Sequence, residues 1–389
     1  MRVPVRYLLC VSWQALVAWA LVSSALPAPR ATAEVSPAPP RIVVLGVGDI
    51  LLGRQLGEEM AKTGDYGLAF RDIRETLAAA DLTFGNLEGP FCDKGPYPAQ
   101  GMIFRFRPAA VESLVRAGFD VVSVANNHFG DGGEACMEFS LDHLRQSRIA
   151  AVGAGRNFEE AHAAAVLERE GVRFAFLGYT YAARNDEPHS KRVVVAGRNG
   201  EQVRRDVAAA RERADVVIVS LHDGAEYTQR VARETEDFAR AAIEAGATAV
   251  FGHHPHVPQR VEPYRDGWIF YSLGNFVFQQ HSPPATRTAL MARLTFSGKE
   301  LVRVEAVPVV IEWFAQPRLA NEQEAAAILR SIGLEDAMLW AAVPAAADVD
   351  GVRSGGFTPP QPGMATPRVA RGKLQAAPTA SGGGSPAGR

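Results

Sequence analysis

Short apolar segments alternate with segments of helical periodicity through most of the chain. Residues 42–47 (IVVLGV) are apolar and end at Gly48 and Asp49, which predicts a buried strand followed by a loop. Comparable apolar runs predict strands at 81–85, 120–125, 149–153, 172–178, 215–221, 248–251, 268–278 and 288–310. Helical spacing predicts helices at 68–79, 108–117, 133–147, 200–213 and 228–245. This alternation is typical of an α/β fold.

The first 33 residues have the layout of a secretory signal peptide. Arg2 and Arg6 provide a positive start, residues 7–26 are almost all apolar, and residues 31–33 (ATA) form a small-x-small cleavage site. An apolar run of this length is also close to the roughly 20 residues that span a bilayer, so an uncleaved N-terminal anchor is a second interpretation. Either interpretation predicts an exported protein of the periplasm or the cell surface.

Composition divides the remaining chain into four parts. Residues 34–40 are a proline-rich linker, and residues 353–389 are rich in Gly, Pro, Ala and Ser. A segment with so little apolar surface to bury is expected to be disordered. We therefore expect the main domain at 41–315, followed by a helical C-terminal extension at 316–352.

Charge and cysteine content exclude some classes of function and leave others open. The formal net charge is −2, and no basic tract is present that would follow a nucleic acid, so we expect no nucleic-acid partner. Cys92 and Cys136 either form a disulfide in an exported protein or remain two small apolar side chains. Their spacing is not that of a zinc site.

Residue types that bind metal ions follow five of the predicted strands. They are Asp49, Asn86 and Glu88, Asn127 and His128, His222, and His254 and His256. In open α/β sheets, ligands bind outside the carboxyl ends of the strands, so these side chains are expected to meet. Each has a structural alternative as a helix cap, a turn residue or a core histidine, but five strand ends together favour one polar site.

The sharpest local signal is His254-Pro255-His256. Residues i and i+2 of an extended segment face the same way, and the proline keeps the segment out of a helix. This pattern predicts that the two imidazoles are presented together, as metal ligands are. Two ordinary loop histidines are the structural alternative.

The combined donor set favours hard or borderline divalent ions, because it contains carboxylates, an amide and imidazoles. Two such ions would polarise a substrate oxygen and lower the pKa of a bridging water, and manganese, zinc, iron and magnesium all fit the donor types. His128 is then the candidate general acid. We assign supporting roles around the ligands to Asn86, Asn126, Asp223 and Glu226.

Six motifs together resemble the CapA family, which is linked to poly-γ-glutamate capsule synthesis. They are GDILLGR at 48–54, NLEGP at 86–90, ANNHFGDGG at 125–133, LHDGAEY at 221–227, GHHPHVPQ at 252–259 and YSLGNFVF at 271–278. That family is similar in turn to calcineurin-like metallophosphoesterases. The resemblance implies a four-layer sandwich of two mixed β-sheets flanked by helices. It also implies that His128 is the acid beside metal ligands at Asp49, Glu88, Asn127, His222, His254 and His256.

The sequence departs from the metallophosphoesterase pattern in three places. Leu51 stands where the histidine of the Asp-x-His motif is expected, and Asn86-Leu87-Glu88 replaces a Gly-Asp motif, so that either Asn86 or Glu88 is the bridging ligand and we favour Glu88. Asp223 follows the fourth-motif histidine, where the family often has an aromatic residue. Arg54 is expected to compensate by holding an anionic group of the substrate.

Three functions remain in competition. The first is a metal-dependent hydrolase or transferase acting on an anionic polymer such as poly-γ-glutamate, with Arg105 and Arg107 as further carboxylate-binding candidates. The second is a non-catalytic accessory subunit that binds the polymer and supports a membrane synthase. The third is a nucleotide phosphoesterase, for which a base-stacking aromatic pair is expected among Tyr227, Tyr271 and Phe276.

Overall fold

A computed structural model of the protein describes residues 39–280, 282–312 and 314–341. The terminal segments assigned from the sequence lie outside the described residues almost entirely: the signal peptide or anchor at 1–33, the linker up to residue 38, residues 342–352 of the C-terminal extension, and the tail at 353–389. Within the described residues, no helix combines the length and the apolar character needed to cross a membrane.

Strands and helices alternate between residues 41 and 253, as the hydrophobic pattern predicts. The strands are β1 (Arg41–Ile50), β2 (Leu82–Leu87), β3 (Val121–Ser123), β4 (Ala150–Val152), β5 (Ala154–Gly155), β6 (Ala165–Arg169), β7 (Val172–Thr180), β8 (Val194–Val195), β9 (Val216–His222), β10 (Ala249–His253), β11 (Val261–Tyr264), β12 (Gly267–Phe270), β13 (Asn275–Val277), β14 (Thr288–Ser297), β15 (Glu300–Ile311), β16 (Pro317–Leu319) and β17 (Met338–Ala341). The helices are α1 (Arg54–Thr63), α2 (Arg74–Ala78), α3 (Val111–Ala117), α4 (Gly133–Gln146), α5 (Phe158–Ala161), α6 (Gly200–Arg211), α7 (Arg233–Glu244) and α8 (Glu322–Ser331). Short 3₁₀ turns cover Leu68–Phe70, Pro108–Ala110 and Pro284–Arg287.

Most strands belong to two mixed sheets. The first has the order β16-β15-β14-β1-β2-β3-β4, with β13 beside β1 and β17 beside β15. Its central strands β1, β2, β3 and β4 are parallel, whereas β14 and β15 run antiparallel to their neighbours. The second has the order β11-β12-β10-β9-β7-β6, with β7, β9, β10 and β12 parallel. A small antiparallel pair, β5 and β8, lies apart.

The two sheets pack face to face, and helices cover their outer faces. Phe84 of β2 stacks on Phe176 of β7 at 5.8 Å, within an apolar core shared by both sheets. A second core lies between the first sheet and α1 to α4, and a third joins the second sheet to α6 and α7. Burial of apolar side chains in three parallel layers explains the order helix, sheet, sheet, helix. The predicted four-layer α/β sandwich is therefore confirmed.

Three expected elements differ in the structure. The helix expected at 68–79 is a 3₁₀ turn followed by the short α2, and the helix expected from residue 228 begins only at Arg233. The C-terminal extension is not only helical, because β16 and β17 flank α8 and both pair with β15. The chain gains backbone hydrogen bonds by adding these strands to an existing sheet, a tertiary effect that helical spacing does not report.

The end of β1 is shaped by a close contact with the chain before β13. A Cβ atom on Gly48 would lie 2.0 Å from the carbonyl oxygen of Gly274, so only glycine permits this approach. The register between β1 and β2 shifts just before Asp49, which then aligns with Asn86 on one side and Asn275 on the other. Asp49, Asn86 and Asn275 therefore lie side by side on neighbouring strands of the first sheet.

Candidate metal centre

The carboxyl ends of the central strands bring the two sheets together around one buried polar cluster. On the second sheet, His222 and His253 are in register at the ends of β9 and β10. The two sheets meet where His253 Nδ1 lies 3.4 Å from Asp49 Oδ1. The backbone N–H of His254 also donates to Asp49 Oδ2 at 3.2 Å. The predicted convergence of strand ends is present in the structure.

Asp49 is fully buried and held by donors from both sheets. Asn86 Nδ2 donates to its Oδ1 at 2.8 Å, and His256 Nδ1 lies 3.3 Å from its Oδ2. Burial alone would raise the pKa of Asp49, but the nearby imidazoles of His253 and His256 hold it well below its ordinary value. Asp49 is therefore a carboxylate in the folded protein.

Glu88 is equally buried but has no comparable support. Neither of its side-chain oxygens has a hydrogen-bond partner among the described residues. The nearest cationic candidates are His256 Nε2 at 3.8 Å and His128 Nε2 at 4.0 Å. Burial, and next the charge of Asp49, raises the pKa of Glu88 well above its ordinary value. Its nearest cation, His256, lies 3.8 Å away, so this buried carboxyl group is poorly compensated.

His254 and His256 face the cluster from a loop and not from a strand. Their φ angles are +94° and +58°, in a region that side chains other than glycine rarely adopt. The imidazole centroids lie 5.9 Å apart. The sequence argument for two neighbouring imidazoles therefore gave the right outcome for the wrong reason, because the segment is not extended. Backbone strain of this kind is common at functional sites.

The two imidazoles have different protonation behaviour. Burial, and next the charge of His256, lowers the pKa of His254 to about 4. Burial would also lower the pKa of His256, but Glu88 and Asp49 raise it to about 9. Asn275 fixes the ring of His256 through a 2.9 Å hydrogen bond with Nδ1. At neutral pH one imidazole is therefore neutral, and the other balances the buried carboxyl groups.

His222 is positioned by two amides. Asn86 Nδ2 donates to its Nδ1 at 3.1 Å, and its Nε2 bonds Asn127 Oδ1 at 2.8 Å. Burial lowers the pKa of His222 well below its ordinary value, so the ring is neutral. Asn126 supports the same network, because its Nδ2 donates to Asn86 Oδ1 at 3.2 Å. His222, Asn86, Asn126 and Asn127 therefore form one hydrogen-bonded network at one side of the centre.

His128 belongs to a pair that the sequence analysis did not identify. Its Nδ1 lies 2.8 Å from Asp131 Oδ2, one helical turn further along the chain. The backbone N–H of Phe104 donates to the same oxygen at 2.7 Å, and the Phe104 ring stacks on the imidazole at 3.8 Å. Asp131 and Phe104 thereby fix the ring and direct Nε2 toward Glu88. The i, i+3 spacing in the HFGD sequence was the available signal.

The two acidic residues expected to support His222 have other neighbours. Asp223 Oδ2 accepts hydrogen bonds from Arg198 at 2.6 Å and from Thr235 at 2.7 Å, so its carboxylate binds α7 and the segment before α6 and not His222. Glu226 is exposed, but one of its oxygens lies within 4.8 Å of nitrogen atoms of His254 and His256. Glu226 therefore lies where a metal ligand would, whereas the sequence suggested that it supports a ligand.

Arg54 lies at the mouth of the centre and Leu51 lies in the core. The Arg54 guanidinium donates to the carbonyl oxygens of Gly101 at 2.6 Å and Gln279 at 3.2 Å. Burial lowers its pKa, although the charge of Glu88 acts in the opposite direction. Leu51 is 1% exposed and packs among apolar side chains between the first sheet and its helices.

The aromatic candidates for base stacking are mostly unsuited to that role. Tyr271 and Phe276 are 1% and 0% exposed and belong to the core. Tyr227 is exposed beside the centre, and so is Tyr181, which the sequence analysis did not single out. The expected pairing of Tyr227 with Tyr271 or Phe276 is therefore wrong, because apolar packing takes both partners.

A disulfide joins the two segments that carry Glu88 and His128. Cys92 and Cys136 are bonded, which decides between the two interpretations left open by the sequence. Cys92 lies four residues after Glu88, and Cys136 lies in α4, directly after the loop of His128 and Asp131. The bond therefore holds these two loops in fixed relation.

The donor set fits divalent ions. Two groups of ligand atoms each lie within 4.8 Å of one another, Asp49 with Glu88 and His256, and Glu226 with His254 and His256. Seven buried side-chain polar atoms of the described residues have no hydrogen-bond partner, and five of them belong to Glu88, His253 and His254. Because such atoms are rarely left unsatisfied, their concentration here fits a binding site for a divalent cation.

Comparison with known proteins shows which family this chain resembles. The family described as bacterial capsule synthesis protein PGA_cap matches residues 43–280, which include all the residues of the centre. The capsule biosynthesis protein CapA of Bacillus anthracis is 33% identical over 255 residues, which cover 62% of this chain and 60% of that protein. This chain thus aligns with less than two thirds of that relative's length.

Two further relatives match over a larger share of their own length. The PGA biosynthesis protein CapA of Bacillus subtilis strain 168 is 29% identical over 304 residues, covering 76% of this chain and 78% of that protein. A probable polyglutamine synthesis accessory protein of Mycobacterium tuberculosis is 27% identical over 289 residues, covering 61% of this chain and 75% of that protein.

Proposed function

Because this chain belongs to the bacterial capsule synthesis protein family, we propose that it is a divalent-metal enzyme acting on an anionic polymer of the cell envelope, such as poly-γ-glutamate. The observation that carries the proposal is Glu88. Its carboxyl group is fully buried, has no hydrogen-bond partner among the described residues and lies near a second buried carboxylate, Asp49. Burying such a pair without a cation is costly, and a divalent ion removes the cost.

Several side chains would hold the metal ions. Asp49, Glu88 and His256 form one group and Glu226, His254 and His256 the other, while Asn127 and His222 supply further donors at the side. Bound there, divalent ions would supply Lewis-acid polarisation of a substrate carbonyl or phosphoryl oxygen. The mixture of oxygen and imidazole donors suits manganese, iron, zinc or magnesium.

The chain's own residues would handle the proton and the substrate charge. His128 is oriented by Asp131 through Nδ1, which leaves Nε2 directed into the centre to give a proton to a leaving group. Arg54 stands at the mouth, where a guanidinium can pair with a carboxylate in a forked geometry. The reaction is then a hydrolysis or a transfer at a bond of the polymer backbone.

We also propose that the protein works outside the cytoplasm, in contact with a membrane synthase. The bonded pair Cys92 and Cys136 supports this, because disulfides persist mainly in oxidising compartments. The apolar segment at 7–26 would direct export or anchor the chain.

A purely accessory role is the second candidate, and Leu51 favours it. A core leucine stands where the metallophosphoesterase resemblance expects a ligand histidine, so one donor is lost. In that case the centre binds metal and polymer, but no bond of the polymer is cleaved.

The test combines metal content with turnover. We expect the purified protein to hold a divalent metal close to stoichiometrically, and His254→Ala to lose it, by elemental mass spectrometry. His128→Asn is expected to keep the metal and to lose about 10²–10⁴-fold of turnover on poly-γ-glutamate or a generic phosphoester. His189→Asn is the control, because His189 is exposed and its φ of +69° suits asparagine.

The outcomes separate the two candidates. A protein that takes up neither manganese, zinc nor iron would contradict both the enzyme and the metal centre. A protein that binds metal but turns over no substrate with any of these ions would support the accessory role.

A further inference from the structure

Three arginines converge on one surface pocket beside the candidate metal centre. Arg54 comes from the start of α1, whereas Arg105 and Arg107 come from the segment before α3, and Tyr97 and Glu58 line the same pocket. We call this feature the arginine pocket. The sequence had suggested Arg105 and Arg107 only as separate carboxylate-binding candidates.

None of the three arginines has a carboxylate partner among the described residues. Arg105 donates to the carbonyl oxygen of Lys94 at 3.2 Å and contacts the sulfur of Cys92 at 3.3 Å. The guanidinium of Arg107 lies over the Tyr97 ring at 4.5 Å, and no hydrogen bond to it is present within the described residues. Many other arginines of the fold form ion pairs, as Arg318 does with two glutamates. The arginine pocket thus brings together three guanidinium groups that have no carboxylate partner within the described residues.

Glu58 does not neutralise the pocket. It is exposed, and within the described part of the chain it forms no ion pair with Arg54, Arg105 or Arg107. Three cations without a partner anion create a positive potential that attracts anions from solution. Guanidinium groups are suited to carboxylates because they offer two parallel N–H donors.

A short stack of rings connects the pocket to the candidate acid. The guanidinium of Arg54 lies over the Phe104 ring at 4.6 Å, and the same ring stacks on His128 at 3.8 Å. One phenyl group thus separates the pocket from the centre. A chain that carries an anion on each repeat would reach both, whereas a single small anion would reach only one.

Exposed apolar side chains lie on the loop between them. Met102 and Ile103 are 61% and 52% exposed, and Met102 Sδ lies 3.6 Å from Arg54 Nη2. Such surface is unusual for two neighbouring residues unless something packs on it. The methylene groups of an acidic side chain or backbone would fit there.

We propose that the open rim of the arginine pocket, whose interior of about 10 Å³ holds no more than a water, is a second anion-binding subsite, where a carboxylate of a polycarboxylate chain lies while a neighbouring repeat occupies the metal centre. This rests on the proposed function only in taking the substrate to be an anionic polymer. The pocket would set the register of the chain and select polymers over single acidic residues.

The test measures binding by the metal-free full chain, so it does not depend on turnover or metal content. Fluorescence anisotropy of labelled poly-γ-glutamate is compared for the wild type, Arg107→Gln and Arg213→Gln. Arg213 is exposed, lies just before the amino end of β9 and makes no ion pair within the described residues, so it is a charge-matched control. We expect Arg107→Gln to bind about tenfold more weakly, the loss of roughly one charge-assisted hydrogen bond.

A second variant distinguishes the loss of charge from a loss of binding that is caused by misfolding. Arg107→Met keeps an apolar stem against Tyr97 and removes the charge, and we expect the same loss from it. Equal affinity of a folded Arg107 variant and of Arg213→Gln would overturn the proposal. Binding of polyphosphate but not of poly-γ-glutamate would overturn it as well, because the occupant would then not be a polycarboxylate.

Discussion

Replacing Glu88 by glutamine is expected to stabilise the metal-free protein while removing its response to metal. The side chain keeps its shape and loses its charge. An unpaired buried charge costs several kcal/mol, whereas an unpaired buried amide costs about 1–3 kcal/mol. Because both oxygens of Glu88 are buried without partners, the exchange should be a net gain in free energy of unfolding.

The size of the gain depends on pH in a defined direction. Burial and Asp49 raise the pKa of Glu88 in the folded protein. Glu88 therefore does not lower the free energy of unfolding below about pH 4.3, the pKa of its carboxyl group in the unfolded chain. Above that pH the loss grows by about 1.4 kcal/mol per pH unit until the pKa of the group in the folded protein is reached. Because a buried amide and a buried neutral carboxyl group without partners cost about the same, these two costs cancel, and we expect a gain of at most about 4 kcal/mol at pH 7, seen as a higher melting temperature. The gain should vanish near pH 4.

Thermal denaturation with and without manganese is the assay. An excess of metal of about 1,000 times Kd stabilises the wild type by about 4 kcal/mol, and Glu88→Gln should lose most of this effect. The order of stability of the two proteins should then reverse between metal-free and metal-loaded samples. Glu75→Gln is the control, since Glu75 is exposed in α2 and forms no ion pair among the described residues. The reasoning is refuted if metal-free Glu88→Gln melts at or below the wild type at pH 7.

Two further predictions follow from the buried histidines. Burial would lower the pKa of His162, but hydrogen bonds to Asp186 and Asp206 raise it to about 9. Its stabilisation of roughly 3 kcal/mol is complete below pH 6.5 and is lost as the pH rises to 9, so the difference in melting temperature between the wild type and His162→Gln should narrow between pH 6.5 and 9, and a difference that is constant over this range would contradict the prediction. Metal uptake should release a proton from His256, because its pKa of about 9 keeps the ring charged at neutral pH, whereas a metal ligand must be neutral. Calorimetric titration in buffers of different ionisation enthalpy measures this release. Binding heats that do not depend on the buffer would argue against His256 as a ligand.

The sequence was sufficient to predict the sandwich and the convergence of its strand ends. Apolar runs that end in polar residues marked β1, β9 and β10, and the parallel arrangement then places Asp49, His222 and His253 at one edge. These signals are local and depend only on periodicity and on the position where a strand ends. The four layers were predicted from the resemblance to the CapA family, because the alternation of strands and helices alone indicates an α/β fold and not the number of its layers.

Features that depend on loop conformation could not be predicted from periodicity. His254 and His256 adopt positive φ angles, which no pattern of apolar positions reports. Asn275, which orients His256, comes from β13, and its pairing with β1 crosses more than two hundred residues of sequence. Asp131 could have been identified by its spacing from His128, but that spacing is also common in solvated turns.

The position of Leu51 explains how the centre differs from the site that the resemblance implies. Its side chain is buried on the helix-facing side of the first sheet, whereas Asp49, two residues earlier, faces the centre. A histidine at position 51 would therefore enter an apolar core on this backbone and would not add a ligand. The ligand set has to be completed from another loop, and Glu226 is the carboxylate within reach of His254 and His256. The packing around β1 therefore explains why position 51 holds a leucine and not a histidine. In the proposed metal centre, Glu226 from the loop after β9 is the candidate for the further ligand.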